Sequence, residues 1–86
     1  MGSSNVAPEA DIWAEPASVR LGTRTYIFWN ARGVGACVES GPSFSQNSLS
    51  GGASTVPITG PTTFTIECLT SASTTVKDTV TVQIAI

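Results

Sequence analysis

Eighty-six residues make a single domain, and six acids against four bases leave a net charge of −2 with no histidine. With no basic run the chain lacks the electrostatic footprint of a nucleic-acid binder, and no stretch approaches the ~18–20 apolar residues of a membrane span. Without histidine, a His-based triad, an imidazole metal site and a histidine general base are all excluded.

A chain this short buries only ~60–65% of the surface that its unfolded form exposes, so its core alone leaves a thin margin. A covalent staple is therefore useful. Charged residues make up 12% of the chain, roughly half the usual share. Threonine and serine take their place, which suits strands and turns and disfavours long helices.

Met1-Gly2-Ser3-Ser4 reads as an expression leader rather than a signal peptide, because no apolar segment follows it. An exported parent would have lost its signal, or the chain is a fragment. The stretch to Glu9 is small, polar and proline-containing, a flexible lead-in to a domain expected over residues 10–86. Ala10–Ala14 is the first strand candidate. Pro16 has no N–H to give, so the strand kinks or changes partner there. Val19 and Leu21 run on to a turn at Gly22.

Thr23–Trp29 is the most β-prone stretch, since Tyr26-Ile27-Phe28-Trp29 is aromatic or β-branched throughout. Both its faces are apolar, so it is either central in its sheet or covered on its outer side. Asn30–Gly35 reads as a loop, Ala36–Glu39 as a short strand and Ser40–Ser43 as a turn. Phe44 is the one aromatic residue in the polar stretch 40–54 and is expected to plug an edge of the core. Ser50-Gly51-Gly52 reads as a further turn, and Ala53–Ile58 as a weak strand interrupted by Pro57.

Thr62–Cys68 alternates without a break. Phe64, Ile66 and Cys68 point one way and Thr63, Thr65 and Glu67 the other, the period-two pattern of a half-buried strand. Ser71–Thr74 is a hairpin-type loop. Val76–Ile86 alternates again, with Val80 and Val82 among its inward residues. Seven short strands with turn signals every ~8–12 residues make an all-β chain with the pattern of an antiparallel sandwich.

Chemistry-bearing residues are sparse. Asp11, Glu15, Glu39, Glu67 and Asp78 are scattered, and nothing in their spacing suggests the cleft that a glycosidase pair needs. Two cysteines without histidine fall two ligands short of a zinc site. The acids form no calcium-loop run, and the glycines form neither a phosphate loop nor a dinucleotide fingerprint. The expectation is a non-enzyme with no catalytic residue, metal or cofactor. One constellation stands out. If Ile12, Ile27 and Trp29 face the core, parity sends Trp13, Tyr26 and Phe28 to the outside, where they form a candidate interface. The alternative is that Phe28 packs under the N-terminal segment or the Pro16 kink and Tyr26 sits at a rim.

Trp29 followed after seven residues by Cys37, then Thr62–Cys68 and a final Val80-Thr81-Val82 strand, resembles the small Ig-like domains of bacterial and phage secreted and surface proteins. The likeness runs from about Ile12 to Ile86, with Gly22, Ile27, Gly51, Thr63 and Ile66 also on pattern positions. Phe64 stands where tyrosine is usual, so no corner hydrogen bond from a hydroxyl is available, and Thr25 stands where an aliphatic residue is common.

The resemblance implies an Ig-like β-sandwich of about seven antiparallel strands with one disulfide, Cys37–Cys68. The same pairing fits two inward-facing cysteines in an export-type composition, against the alternative of two free buried thiols. Trp29 then reads as the core tryptophan near the bridge, with Ile27, Phe64, Ile66, Val80 and Val82 in the core, rather than as a ligand-binding residue. An extracellular, cell-surface or virion-surface location follows.

Two functions fit such a domain. It is a structural spacer that meets other domains of a parent or copies of itself. Or it is an adhesion module that recognises a glycan or protein through the exposed aromatics or the 40–54 loop.

Overall fold

A computed structural model describes residues 7–86. The leader expected at Met1–Ser4, and the lead-in as far as Val6, lie outside the described residues. The chain is all-β among those described, with eight strands: β1 Glu9–Glu15, β2 Ser18–Val19, β3 Tyr26–Arg32, β4 Ala36–Gly41, β5 Phe44–Gln46, β6 Ser50–Ser54, β7 Thr62–Leu69 and β8 Thr75–Ile84. They form a three-stranded sheet in the order β1-β3-β6 and a five-stranded sheet in the order β2-β8-β7-β4-β5.

The count exceeds the expected seven by one, because the short edge strand β5 pairs where the sequence offered only a turn and a lone phenylalanine. The sheets are not wholly antiparallel either, since β2 runs parallel to the end of β8. Pro16 marks the change of partner. The peptide before it is cis, β1 ends at Glu15 in one sheet, and β2 begins at Ser18 in the other.

The start of the expected Asn30–Gly35 loop and the expected turn at 50–52 are strand, while 33–35 remain a loop. β3 continues through Ala31, which is buried and accounts for the extra pairs with β1. Ser50-Gly51-Gly52 opens β6 rather than a turn. Its glycines serve close approach: a Cβ on Gly52 would lie 2.6 Å from the Phe28 ring, and one on Gly51 3.1 Å from the Trp29 ring. Each ring thus lies beside a glycine of the neighbouring strand, on opposite faces of the sheet.

The core fills the space between the sheets. Ile12, Ile27, Trp29 and Ala31 come from the three-stranded layer, and Cys37, Phe44, Phe64, Ile66, Cys68 and Val82 from the other. An aromatic chain links the layers. Trp29 meets Phe44 edge-on with ring centroids 6.0 Å apart, and Phe44 meets Phe64 likewise at 5.3 Å. Gly41 lies opposite Phe44 in register, where any Cβ would collide with the Phe64 ring.

Val80 differs from the other expected core residues in being half-buried. β2 pairs with β8 only at Gln83 and Ile84, so at Val80 no strand is hydrogen-bonded to its outer edge.

Cys37 and Cys68 form the single disulfide, with an S–S distance of 2.02 Å. They sit directly opposite each other on β4 and β7, so the bridge ties neighbouring strands of one sheet. In antibody domains the bridge spans the two sheets instead. Trp29 packs edge-on against Phe44, donates its indole N–H to Ser48 Oγ and lies beside the backbone of Gly51, toward β5 and β6.

Asp78 links the layers at the opposite edge. It shares the inward parity of Val76 and Val80, and its Oδ2 accepts the Ile12 N–H at 2.9 Å. In the β1–β3 register the N–H and C=O of Ile12 point away from β3, toward the open edge of β1. A carboxylate from the other sheet thus blocks that edge against further strand pairing.

Candidate functional site

The outer face of the three-stranded sheet is laid out in rows by its register. Trp13 lies opposite Phe28, and Phe28 opposite Gly52; one row along, Glu15 lies opposite Tyr26, and Tyr26 opposite Ser54. On the other side run Asp11, Asn30 and Ser50. Period-two alternation produces this face directly, because Ile12, Ala14, Ile27 and Trp29 are buried between these residues.

The aromatic side chains lie together. Trp13 and Phe28 stack with centroids 6.1 Å apart and planes 28° apart, and Tyr26 and Phe28 at 6.3 Å and 26°. Trp13 is 39% exposed and Tyr26 56%, while Phe28 is half-buried beneath them. The cross-strand Trp13–Phe28 pair contributes about 0.2–1 kcal/mol, and Tyr26 and Phe28 are neighbours on one face of β3, which leaves most of the exposed ring surface without a local structural use. The Trp13 indole N–H donates to Glu15 Oε2 at 2.7 Å. Arg32 and Glu9 form an exposed ion pair at the far end of the face. The result is an apolar strip bordered by carboxylates, an amide and hydroxyls.

The stretch 40–54, expected as a long polar loop, is mostly strand. β4 ends at Gly41, β5 holds 44–46 and β6 begins at Ser50. Phe44 is buried and pins the stretch to the core, leaving only a tight turn at Pro42-Ser43 and the crossover 47–49. That crossover carries a polar network around the buried Glu39. Ser48 donates its N–H to Glu39 Oε1 at 3.2 Å, and the Trp29 indole N–H donates to Ser48 Oγ at 3.1 Å.

Glu39 is fully buried and its Oε2 has no hydrogen-bond partner. Burial pushes its carboxyl above the usual range, and the Ser48 N–H only partly offsets this. The signal was present in the sequence: Glu39 shares the parity of Cys37, so a bridge facing inward takes this carboxyl inward with it.

A carboxyl of this kind holds its proton more tightly in the folded than in the unfolded chain. Stability therefore falls as pH rises from about 4.5 through the folded-state value, and is flat above it. Glu39→Gln keeps an acceptor for the Ser48 N–H and removes the charge. The variant is expected to lose that fall, so that its stability relative to the wild type is greater at pH 7 than at pH 4. Urea melts of both proteins from pH 4 to 8 check this. A wild-type stability that rises across that range relative to Glu39→Gln would contradict it.

The outer face of the larger sheet is a weaker candidate. Val38 and Leu69 are exposed there, beside a shallow depression of about 220 Å³ that holds one carboxylate, Glu67. Among the described residues no three His, Cys, Asp or Glu side chains gather as a metal site, and no helix is long and apolar enough to cross a membrane. No family model, curated protein or solved structure matches the chain.

Proposed function

We propose that this domain is a non-catalytic structural module of an exported or surface protein, and that the outer face of its three-stranded sheet is a contact surface. The observation that carries the reading is the Trp13–Phe28–Tyr26 stack, two of whose side chains, Trp13 and Tyr26, are exposed. Exposed apolar area costs about 25 cal/mol per Å² relative to burial, and clustered aromatics on a soluble domain mark places where another surface docks.

The disulfide supports an oxidising compartment. The two-layer architecture and the buried Trp29 support an Ig-like sandwich. The placement of the bridge within one sheet sets the domain apart from the antibody type. Copies of the domain or adjacent domains of a parent are the partners this reading names.

Adhesion to a glycan is the second reading. It draws on the polar border of the strip, where Asp11, Asn30 and Glu15 flank the rings as sugar-hydroxyl partners would.

Replacing Tyr26 and Phe28 together by serine tests the proposal. The double variant is expected to fold, to lose about 1–2 kcal/mol from the two stacked pairs, and to lose self-association or partner binding. Sedimentation and a glycan-binding screen read the two cases. A double variant that fails to fold would make these side chains core and would end the surface reading.

A further inference from the structure

We propose that β6 is a self-pairing edge, at which a second copy of this domain adds its own β6 antiparallel across a two-fold axis at Gly52. The inference rests on the structural-module reading above and assigns it a specific contact. The β3–β6 register alternates: Thr55 N–H donates to Thr25 O and Ala31 N–H to Leu49 O, so the odd-numbered residues of β6 bond to β3. The N–H and C=O groups of Ser50, Gly52 and Ser54 therefore point away from β3. Ser50 O accepts the Ser48 hydroxyl. Among the described residues, nothing bonds the outward backbone groups of Gly52 and Ser54.

The two edges of this sheet are treated differently. At β1 the Asp78 carboxylate takes the Ile12 N–H. β6 is exposed along its edge and has no charge, proline or bulge to guard it, the features by which sheet edges ordinarily avoid pairing.

The occupant follows from self-complementarity. A two-fold axis at Gly52 sets glycine against glycine and Ser50 against the partner's Ser54, with no steric clash and no like charges opposed. Phe28 already fills the Cβ space of Gly52, so its ring leans over β6 toward the open side. Strands lie ~4.8 Å apart, so β3 and the partner's β3 would stand roughly 14 Å apart, with only the two glycines between the facing phenylalanine rings. The aromatic strip would then run unbroken across a six-stranded sheet. One five-residue strand pair with one ring contact falls below the ~1,200 Å² of a stable complex, so the free domain dimerises weakly, with a Kd on the order of 0.1–1 mM. In an array that holds copies at high local concentration, such a contact is sufficient.

Sedimentation equilibrium up to about 1 mM protein tests the proposal. Wild type is expected to rise from 8.8 kDa toward twice that mass. Ser54→Pro removes an edge N–H that bonds nothing within the sheet and is expected to weaken association at least tenfold, with a normal far-ultraviolet spectrum. Ser50→Asp with Ser54→Asp opposes like charges in the proposed register and is expected to do the same. Ser50→Lys with Ser54→Asp opposes unlike charges and is expected to keep or strengthen association, which locates the register even if the proline variant misfolds. A wild type that stays monomeric at 1 mM would overturn the inference, as would association that the charge variants leave unchanged. If only Tyr26→Ser with Phe28→Ser abolished association, the edge would be wrong and the aromatic contact surface would stand.

Discussion

Loss of the Cys37–Cys68 bridge is expected to cost about 3.7 kcal/mol in the chain-entropy relation for a loop of this length, the two cysteines being 31 residues apart. The bridge joins β4 to β7 in the middle of the larger sheet, so reduction frees the unfolded chain while both buried cysteine side chains stay in the core. Domains of this size are stable by ~0.05–0.15 kcal/mol per residue, which makes the loss a large share of the total. Intact mass should rise by two hydrogens on reduction, with no free thiol beforehand. Urea melts of Cys37→Ala with Cys68→Ala should show a midpoint far below that of the oxidised protein. Equal midpoints would mean that the sheet pairing holds the fold without the bridge.

Trp29→Ala is expected to cost about 3–5 kcal/mol. The ring is 2% exposed, packs edge-on against Phe44 and lies beside the bare backbone of Gly51. Its removal opens a cavity between the layers that no adjacent side chain is long enough to fill. It also releases Ser48, whose N–H caps the buried Glu39, so the loss reaches the polar network as well. Trp13→Ala removes an exposed ring and one stack, and is expected to cost only ~0.5–1.5 kcal/mol. Denaturant melts of the two variants, side by side, measure the difference. Equal losses would mean that β1 does not alternate as described.

Much of this arrangement was legible in the sequence because period-two patterning fixes faces. Ile12, Ile27, Trp29, Phe64, Ile66 and Cys68 are buried where alternation places them, and Trp13 and Phe28 fall opposite each other because β1 and β3 pair. Pro16 announced the sheet switch by its missing N–H.

What escaped was set by tertiary contact rather than local preference. Gly51 and Gly52 look like turn residues, yet they are in a strand because two aromatic rings need the space. β2 and β5 are too short to carry a period and exist only through their neighbours. The second sheet's Asp78 reaches Ile12 across 66 positions, a pairing that no local pattern encodes. Glu39 was hidden by its chemistry: a carboxyl is read as solvent-facing even where parity turns it inward.

The most direct measurement of the separation between a stability face and a contact face is a urea melt of Tyr26→Ser with Phe28→Ser. The expected result is one cooperative transition with an unchanged slope, the signature of the same surface exposed on unfolding, and a loss well below that of Trp29→Ala. Loss of the cooperative transition, or a destabilisation equal to that of Trp29→Ala, would show that the outer aromatics belong to the core and that the sheet has no free face to offer.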